Sequence, residues 1–191
     1  MGCLEFTNKG EVTIARTKLL VAGYYGCGNL GDDALLAGFV AGLGSLPVEV
    51  TALSGNPEST YRNLGVASIP RRDMSGIKRE LESSSALVFA GGGLLQDVTS
   101  GFSLRYYTNL VQLGKRMGKP VFMLAQGIGP ISGFLGRGSA KSALSACDIL
   151  TVRDQESYKT LRALGVKRTA EVTAGCVLQR TLKRVNSDWV K

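Results

Sequence analysis

Residues 19–36 read Leu-Leu-Val-Ala-Gly-Tyr-Tyr-Gly-Cys-Gly-Asn-Leu-Gly-Asp-Asp-Ala-Leu-Leu, and this stretch decides the fold class. Its first four residues form an apolar run, which is typical of a strand buried on both faces of a parallel sheet. Four glycines then allow a tight turn and a close approach of the backbone to a ligand. Asp32 and Asp33 stand where an N-cap or first-turn carboxylate accepts helix N–H groups, and apolar residues follow at helical spacing. The stretch therefore predicts a βα unit.

Apolar runs alternate with helical patterns along the rest of the chain. Strands are predicted at 19–22, 48–53, 66–69, 86–90, 121–125, 149–152 and 169–173. With right-handed crossovers, this pattern predicts an α/β fold built on a doubly wound parallel, Rossmann-like sheet. The expected strand order is third, second, first, fourth, fifth. We expect the domain at 17–175, between a flexible N-terminal tail (1–16) and a basic C-terminal tail (176–191), with a mobile glycine loop at 133–138.

The charge of the chain limits its partners only weakly. The 191 residues include 23 basic and 15 acidic side chains, a net charge of +8. Such a balance fits an anionic substrate, an acidic polymer, nucleic acid or a merely solvated basic face. No alternation of aromatic and basic residues indicates RNA binding, so we expect no nucleic-acid partner.

Cysteine and histidine usage argues against a metal centre. Histidine is absent, and Cys3, Cys27, Cys147 and Cys176 lack the Cys-x-x-Cys spacing of metal sites. Scattered cysteines favour a reducing compartment. No apolar run approaches the length of about 18 residues that suggests a membrane span, and no secretory signal is recognisable. We therefore expect a cytoplasmic protein without a metal or other cofactor.

The loop also satisfies the dinucleotide pattern Gly-x-Gly-x-x-Gly, as Gly26-Cys-Gly28-Asn-Leu-Gly31. Three observations oppose this interpretation: the first glycine does not follow the strand directly, residues 54–56 lack the expected acid, and two carboxylates would repel a pyrophosphate at the helix start. A non-catalytic Rossmann-like module that binds a nucleotide or dinucleotide remains an alternative.

The longer pattern Gly-Tyr-Tyr-Gly-x-x-Asn-x-Gly-Asp-Asp at 23–33 resembles the start of the polysaccharide pyruvyl transferase family. Two later stretches strengthen the match: Gly91-Gly92-Gly93-Leu94-Leu95-Gln96-Asp97 and Gln126-Gly127-Ile128-Gly129-Pro130. The resemblance covers about 18–173. It implies transfer of a pyruvyl group from phosphoenolpyruvate to a sugar hydroxyl of a cell-surface polysaccharide, with formation of a ketal. It also implies two domains arranged as in GT-B glycosyltransferases, of which this chain resembles the N-terminal one.

Two features depart from the family pattern. The resemblance implies that the catalytic histidine and most donor-facing basic residues lie in a second, C-terminal domain, so the chain is expected to be incomplete and inactive without it. The chain also reads Thr173-Ala174-Gly175-Cys176 where relatives usually have Thr-Ala-Asp-Pro. An inactive, truncated copy is therefore a further alternative.

The candidate site residues follow the carboxyl ends of the predicted strands, where an open parallel sheet binds its ligands. Asp32 and Asp33 are candidates for a general base, although helix capping explains at least one of them. Arg153 can bind a carboxylate or phosphate, a role that the resemblance supports, or can pair with Asp154 or Glu156. Candidates for substrate binding are Gly23, Tyr25, Gly26, Asn29, Gly31, Gly91, Gly92, Gly93, Gln96, Gln126, Gly127 and Gly129.

Structural alternatives accompany the polar candidates. The ring of Tyr25 can pack on a sugar in the pocket or belong to the core. Asn29, Gln96 and Gln126 can contact substrate or stabilise their loops. Arg71 and its neighbour Arg72, which follow the third predicted strand, can face an anion, but loop arginines are more often solvated.

Overall fold

The computed structural model describes residues 4–6, 12–14, 16–97 and 101–175. Its strands are β1 (Leu4–Phe6), β2 (Val12–Ile14), β3 (Thr17–Tyr25), β4 (Val48–Ser54), β5 (Ala67–Pro70), β6 (Ala86–Leu95), β7 (Val121–Ile128), β8 (Ile149–Val152) and β9 (Glu171–Val172). The helices are α1 (Leu30–Leu43), α2 (Pro57–Leu64), α3 (Met74–Ser83), α4 (Gly101–Arg116), α5 (Phe134–Ala146) and α6 (Gln155–Ala163).

Strands β3 to β9 form one parallel sheet in the order β5-β4-β3-β6-β7-β8-β9. This order contains the predicted sequence of third, second, first, fourth and fifth strands. The fold class, an α/β doubly wound parallel sheet, is therefore confirmed. The order reverses between β3 and β6, which places the switch point of the sheet between the ends of these two strands.

Two buried clusters cover the two faces of the sheet. Neighbouring residues of β3 belong to different clusters: Val21 packs with Leu36 of α1, whereas Leu20 belongs to the larger cluster with α3 to α6. Successive side chains of a strand point to opposite faces, so a strand that is buried on both sides is apolar throughout. The continuous apolar runs in the sequence have this cause.

Three strands are longer than predicted and include the glycine motifs. β3 continues to Tyr25, β6 to Leu95 and β7 to Ile128. Glycine is depleted in strands, and the predicted strands therefore stop before the glycine motifs. The pairing of β6 with β7 nevertheless continues through Gly92–Gln126, with a shift in register before Leu95 pairs with Ile128.

The starts of α1 and α5 bear on two predictions. α1 begins at Leu30, capped by Asn29, and Asp32 and Asp33 lie in its first turn, which is one of the two positions that the sequence indicates for them. The prediction of a mobile loop at 133–138 is wrong, because α5 begins at Phe134. The carboxylate of Asp97 accepts the N–H groups of Ser132 and Gly133 at 2.8 and 3.0 Å, which fixes the two residues directly before the helix.

The predicted N-terminal tail contains two strands that the sequence analysis missed, because β1 and β2 pair antiparallel in a separate sheet. The predicted C-terminal tail, 176–191, lies outside the described residues, and so do Cys3 and Cys176. No helix in the described part of the chain has the length and apolar character of a membrane span.

Candidate functional site

The start of α1 holds three polar candidates in distinct roles. The Oδ1 atom of Asn29 accepts the N–H of Gly31 at 3.0 Å, and its Nδ2 donates to Oδ2 of Asp32 at 2.6 Å. The carboxylate of Asp33 accepts the N–H of Gly26 at 2.9 Å and thereby fixes the glycine loop. Asn29 caps the helix and Asp33 fixes the loop. Asp32 accepts a hydrogen bond from the Asn29 side chain and has the smaller structural role of the two aspartates.

Asp32 lies against the next strand at the switch point. A Cβ atom added at Gly92 would lie 2.9 Å from Oδ1 of Asp32, so the missing side chain lets the carboxylate approach β6. Burial raises the pKa of Asp32, the nearby Asp33 carboxylate raises it further, and Arg71 lowers it. A half-buried carboxyl with a raised pKa at a strand end has the properties of a proton-transfer group.

The raised pKa predicts how Asp32→Asn changes stability. The folded protein holds the Asp32 proton more tightly than the unfolded chain, so stability falls as pH rises from the ordinary value of 3.8 through the raised pKa. Asparagine does not ionise, and its oxygen can still accept from Asn29. We expect Asp32→Asn to raise the Tm near neutral pH, with a gain that disappears in acid.

Thermal melts between acidic and neutral pH test this prediction, with Asp148→Asn as the contrasting control. The hydrogen bond from Lys115 holds the pKa of Asp148 below its usual range, so Asp148 stabilises the fold above that range. Its replacement should lower the Tm near neutral pH. A lower Tm for Asp32→Asn at neutral pH would contradict the account of Asp32.

Gln126 connects the loops of β6 and β7. Its side chain is fully buried, and Nε2 donates to the carbonyl oxygens of Gly92 and Gly127. The Oε1 atom is buried and has no donor among the described residues. Gln126 therefore links the glycine segments of β6 and β7, which agrees with the loop-stabilising alternative for this residue.

The backbone before Gln126 is strained. Ala125 has φ 47°, in the left-handed region that non-glycine residues rarely adopt, and its N–H donates to Oγ1 of Thr151 at 2.7 Å. Such conformations cost about 1–3 kcal/mol and cluster at functional sites. The strain lies where the pairing of β7 with β8 shifts in register, between Met123 and Gln126.

Arg153 directly follows β8 and lies at the carboxyl edge of the parallel sheet, which we call the rim. A Cβ atom added at Gly127 would lie 2.8 Å from Cζ of Arg153, so the guanidinium rests on a backbone that has no side chain. Its Nε donates to Oδ2 of Asp154 at 2.9 Å, and the side chain is 53% exposed. The predicted pair with Asp154 is present, but it uses Nε and leaves both Nη groups without a partner among the described residues.

Contacts thus connect four strand ends across the rim. They run from Asn29 to Asp32, then to Gly92, Gln126, Gly127 and Arg153. Six of the predicted site residues are therefore brought together at the ends of β3, β6, β7 and β8. Their roles toward a ligand stay a prediction.

Tyr25 and Gly23 do not belong to this group. Tyr25 is 1% exposed and packs in the core with Leu36, as the alternative interpretation had it. A Cβ atom added at Gly23 would lie 2.2 Å from the Tyr25 ring, so Gly23 makes room for that ring. The expectation that Tyr25 offers a ring face to a sugar is corrected: no face is open in this structure.

The other candidates lie around the rim. Gly26 and Gly91 have positive φ values of 62° and 87°, and Gly31 packs beside the Asn29 cap. Gly93 is exposed, with no neighbouring atom within 4 Å of an added Cβ. Gln96 is half-buried directly after β6, and Gly129 approaches Thr160 of α6.

Arg71, which by its place in the sequence can face an anion, lies in a cluster of tyrosines that the sequence does not indicate. The guanidinium lies 4.9 Å from the ring centroids of both Tyr24 and Tyr106, and its Nη2 donates to the hydroxyl of Tyr107 at 3.1 Å. The usable signal was position, because Arg71 follows β5 directly and lies at the same rim as the predicted site. The tyrosines of α4 gave no signal, since their helical spacing equally fits the core.

Comparisons with known proteins agree with the fold and give the family. No curated protein sequence matches the chain. A solved structure from Listeria monocytogenes, described as a UDP-N-acetylglucosamine 2-epimerase, aligns with 80% of this chain and 43% of its own, at 11% identity and a TM-score of 0.50. The TT0495 protein from Thermus thermophilus aligns with 86% of this chain and 99% of its own, at 17% identity and a TM-score of 0.44.

At 11% identity, the likeness to the Listeria monocytogenes structure concerns only the fold. The present chain spans less than half of that protein's length. The family comparison goes further. The sequence model of the polysaccharide pyruvyl transferase family matches residues 29–187, which is most of the chain. The match covers the end of the first glycine motif, 29–33, and the whole of the other two. This chain belongs to the polysaccharide pyruvyl transferase family.

Proposed function

We propose that the chain is the N-terminal domain of a cytoplasmic enzyme that moves a pyruvyl group from phosphoenolpyruvate to a sugar of a cell-surface polysaccharide. The observation that carries the proposal is a pair of oppositely charged side chains, Asp32 and Arg153, within the connected series of contacts along the rim. Asp32 is a half-buried carboxyl with a raised pKa beside the switch point, and Arg153 has a free guanidinium fork beyond it.

The reaction needs both kinds of group. Two hydroxyls of one sugar add to C2 of phosphoenolpyruvate, the C2–O bond to phosphate breaks, and C3 gains a proton to become a methyl group. Of the two hydroxyl protons, one balances the new C3–H bond and the other leaves with inorganic phosphate. We assign to Asp32 the acceptance of a hydroxyl proton and to Arg153 the binding of the donor carboxylate or phosphate.

Further parts of the active site are proposed to lie in a second domain, docked as in a GT-B arrangement. Histidine is the commonest acid–base residue near neutral pH, and this sequence contains none. We expect the chain to fold alone but not to turn over phosphoenolpyruvate alone.

Complementation tests the proposal. The chain is mixed with a separately expressed C-terminal domain of a family relative, phosphoenolpyruvate and that relative's acceptor, and the ketal product is measured by mass spectrometry. We expect turnover only in the mixture, and its loss in the mixture with Asp32→Asn. Turnover by the chain alone would refute the need for a second domain, and a docked but inactive pair would refute the function.

A further inference from the structure

Arg71 is held by its backbone at the end of β5. Its N–H donates to the carbonyl of Ser54 at 2.9 Å, and the hydroxyl of Tyr106 donates to the carbonyl of Arg71 at 2.6 Å. The side chain therefore leaves a fixed point of the rim. It extends toward the end of β3, where its Nη1 donates to Sγ of Cys27 at 3.3 Å.

Aromatic rings surround the guanidinium. Tyr24 and Tyr106 lie at centroid distances of 4.9 Å and Tyr107 at 5.7 Å. Ring faces attract a cation and compensate part of its lost hydration. They carry no net negative charge, so the half-buried cation still favours an anion beside it.

No carboxylate in the described part of the chain supplies that anion, since Arg71 takes part in none of the ion pairs there. A guanidinium has five N–H donors. One of them is used by Cys27 and one by Tyr107, so three have no acceptor among the described residues. Asp32 is close enough for Arg71 to lower its pKa, but no hydrogen bond or ion pair joins the two side chains.

The tyrosines around Arg71 differ in their exposure to solvent. Tyr107 is fully buried against the core, whereas Tyr24 is 41% exposed. Of these two rings only Tyr24 is open to solvent, so we place the approach of an anion on its side. A group attached to that anion would meet the exposed Tyr24 ring. The Asp32 carboxyl also lies at this carboxyl edge of the sheet, in the helix that follows β3.

We propose that Arg71 and Tyr24 form a subsite for a phosphorylated sugar, in which Arg71 binds the phosphate and Tyr24 packs against the sugar ring. A guanidinium binds phosphate or carboxylate through two parallel N–H···O bonds, and a phosphate monoester, with its charge of about −1.5 to −2, attracts the half-buried cation more strongly than a singly charged carboxylate does. The inference rests on the proposed function in one respect: it makes the sugar acceptor of that reaction a phosphorylated one. Arg153 remains assigned to the donor.

Calorimetric titration of the full chain with glucose 1-phosphate tests the subsite, with glucose and glucuronate as the uncharged and carboxylate comparisons. We expect glucose 1-phosphate to bind at least tenfold more tightly than either comparison. Arg71→Gln should weaken its binding at least tenfold. The matched control is Arg72→Gln, which removes the exposed neighbouring arginine and should leave the affinity unchanged.

If Arg71→Gln does not fold, Tyr24→Ala provides the test, because the Tyr24 side chain is partly exposed and its removal should leave the fold intact. It should weaken glucose 1-phosphate binding severalfold without a large change in Tm. Equal binding of glucose and glucose 1-phosphate, or unchanged binding by Arg71→Gln, would overturn the subsite. Tighter binding of glucuronate than of glucose 1-phosphate would indicate a site for a carboxylate and would also overturn the proposal.

Phosphoenolpyruvate separates this inference from the proposed function. Arg71→Gln should bind phosphoenolpyruvate as the unchanged chain does, and an equal loss for both ligands would place Arg71 in the donor site and refute the subsite. If the chain binds glucose 1-phosphate through Arg71, but the chain supplied with its second domain does not bind phosphoenolpyruvate, the proposed function fails while the subsite stands.

Discussion

Gly26→Ala should be the most destabilising single substitution that we predict, with a loss of about 2–5 kcal/mol in the free energy of unfolding. The backbone at Gly26 has φ 62°, a conformation that costs an alanine about 1–2 kcal/mol. An added Cβ would also lie 2.2 Å from Oγ of Ser54 and 2.9 Å from the backbone nitrogen of Asn56. Overpacking of this kind costs about 1–3 kcal/mol, because the backbone cannot yield as a flexible side chain would.

Urea denaturation of two control variants separates these costs. Gly28→Ala has the positive φ, 81°, but no atom within 4 Å, so it should show only the conformational cost. Gly93→Ala adds a Cβ in open space on the same rim and should change stability by less than about 0.5 kcal/mol. Equal stability of Gly26→Ala and Gly93→Ala would show that the glycine loop is not packed as described.

Arg153→Lys should weaken the binding of phosphoenolpyruvate about tenfold, or about 1.4 kcal/mol, in the chain supplied with its second domain. An ammonium cannot reproduce the planar fork that the two free Nη groups of Arg153 offer. The fold should hardly change. The lost ion pair with Asp154 is exposed, and Asp154 continues to cap α6 by accepting the Ser157 N–H at 2.7 Å.

The matched control is Arg62→Lys, which changes another exposed, ion-paired arginine on α2 and should leave the affinity unchanged. Titration calorimetry and thermal melts on both variants provide the measurement. If Arg153→Ala lowers the Tm while the surviving folded protein binds phosphoenolpyruvate normally, Arg153 is a structural residue and the assignment fails.

The strand order could be predicted from the sequence because it depends on simple physics. Strands buried on both faces must be apolar throughout, and right-handed crossovers leave few ways to order them. The same rule places every strand-to-helix loop at one rim. For this reason Asn29, Asp32, Gly92, Gln126, Gly127 and Arg153 could be predicted to lie near each other before any contact was known.

The errors have a common cause, which is that local patterns do not include tertiary contacts. The glycines at 133–138 predicted a loop, but Asp97, 36 residues before Gly133, fixes the residue directly before α5. Tyr24 and Tyr25 could not be told apart without knowing that β3 continues through both. Alternation along the longer strand turns Tyr25 into the core and leaves Tyr24 at the surface, beside Arg71.

The central claim is that the rim of this sheet binds phosphoenolpyruvate. Calorimetric titration of the chain supplied with its second domain, with phosphoenolpyruvate and with NAD, tests it most directly. The two ligands separate the transferase from the dinucleotide-binding alternative, because the carboxylates of Asp32 and Asp33 at the start of α1 repel a pyrophosphate placed there. We predict binding of phosphoenolpyruvate, reduced in Arg153→Lys, and no comparable binding of NAD. Preferential binding of NAD would contradict the account.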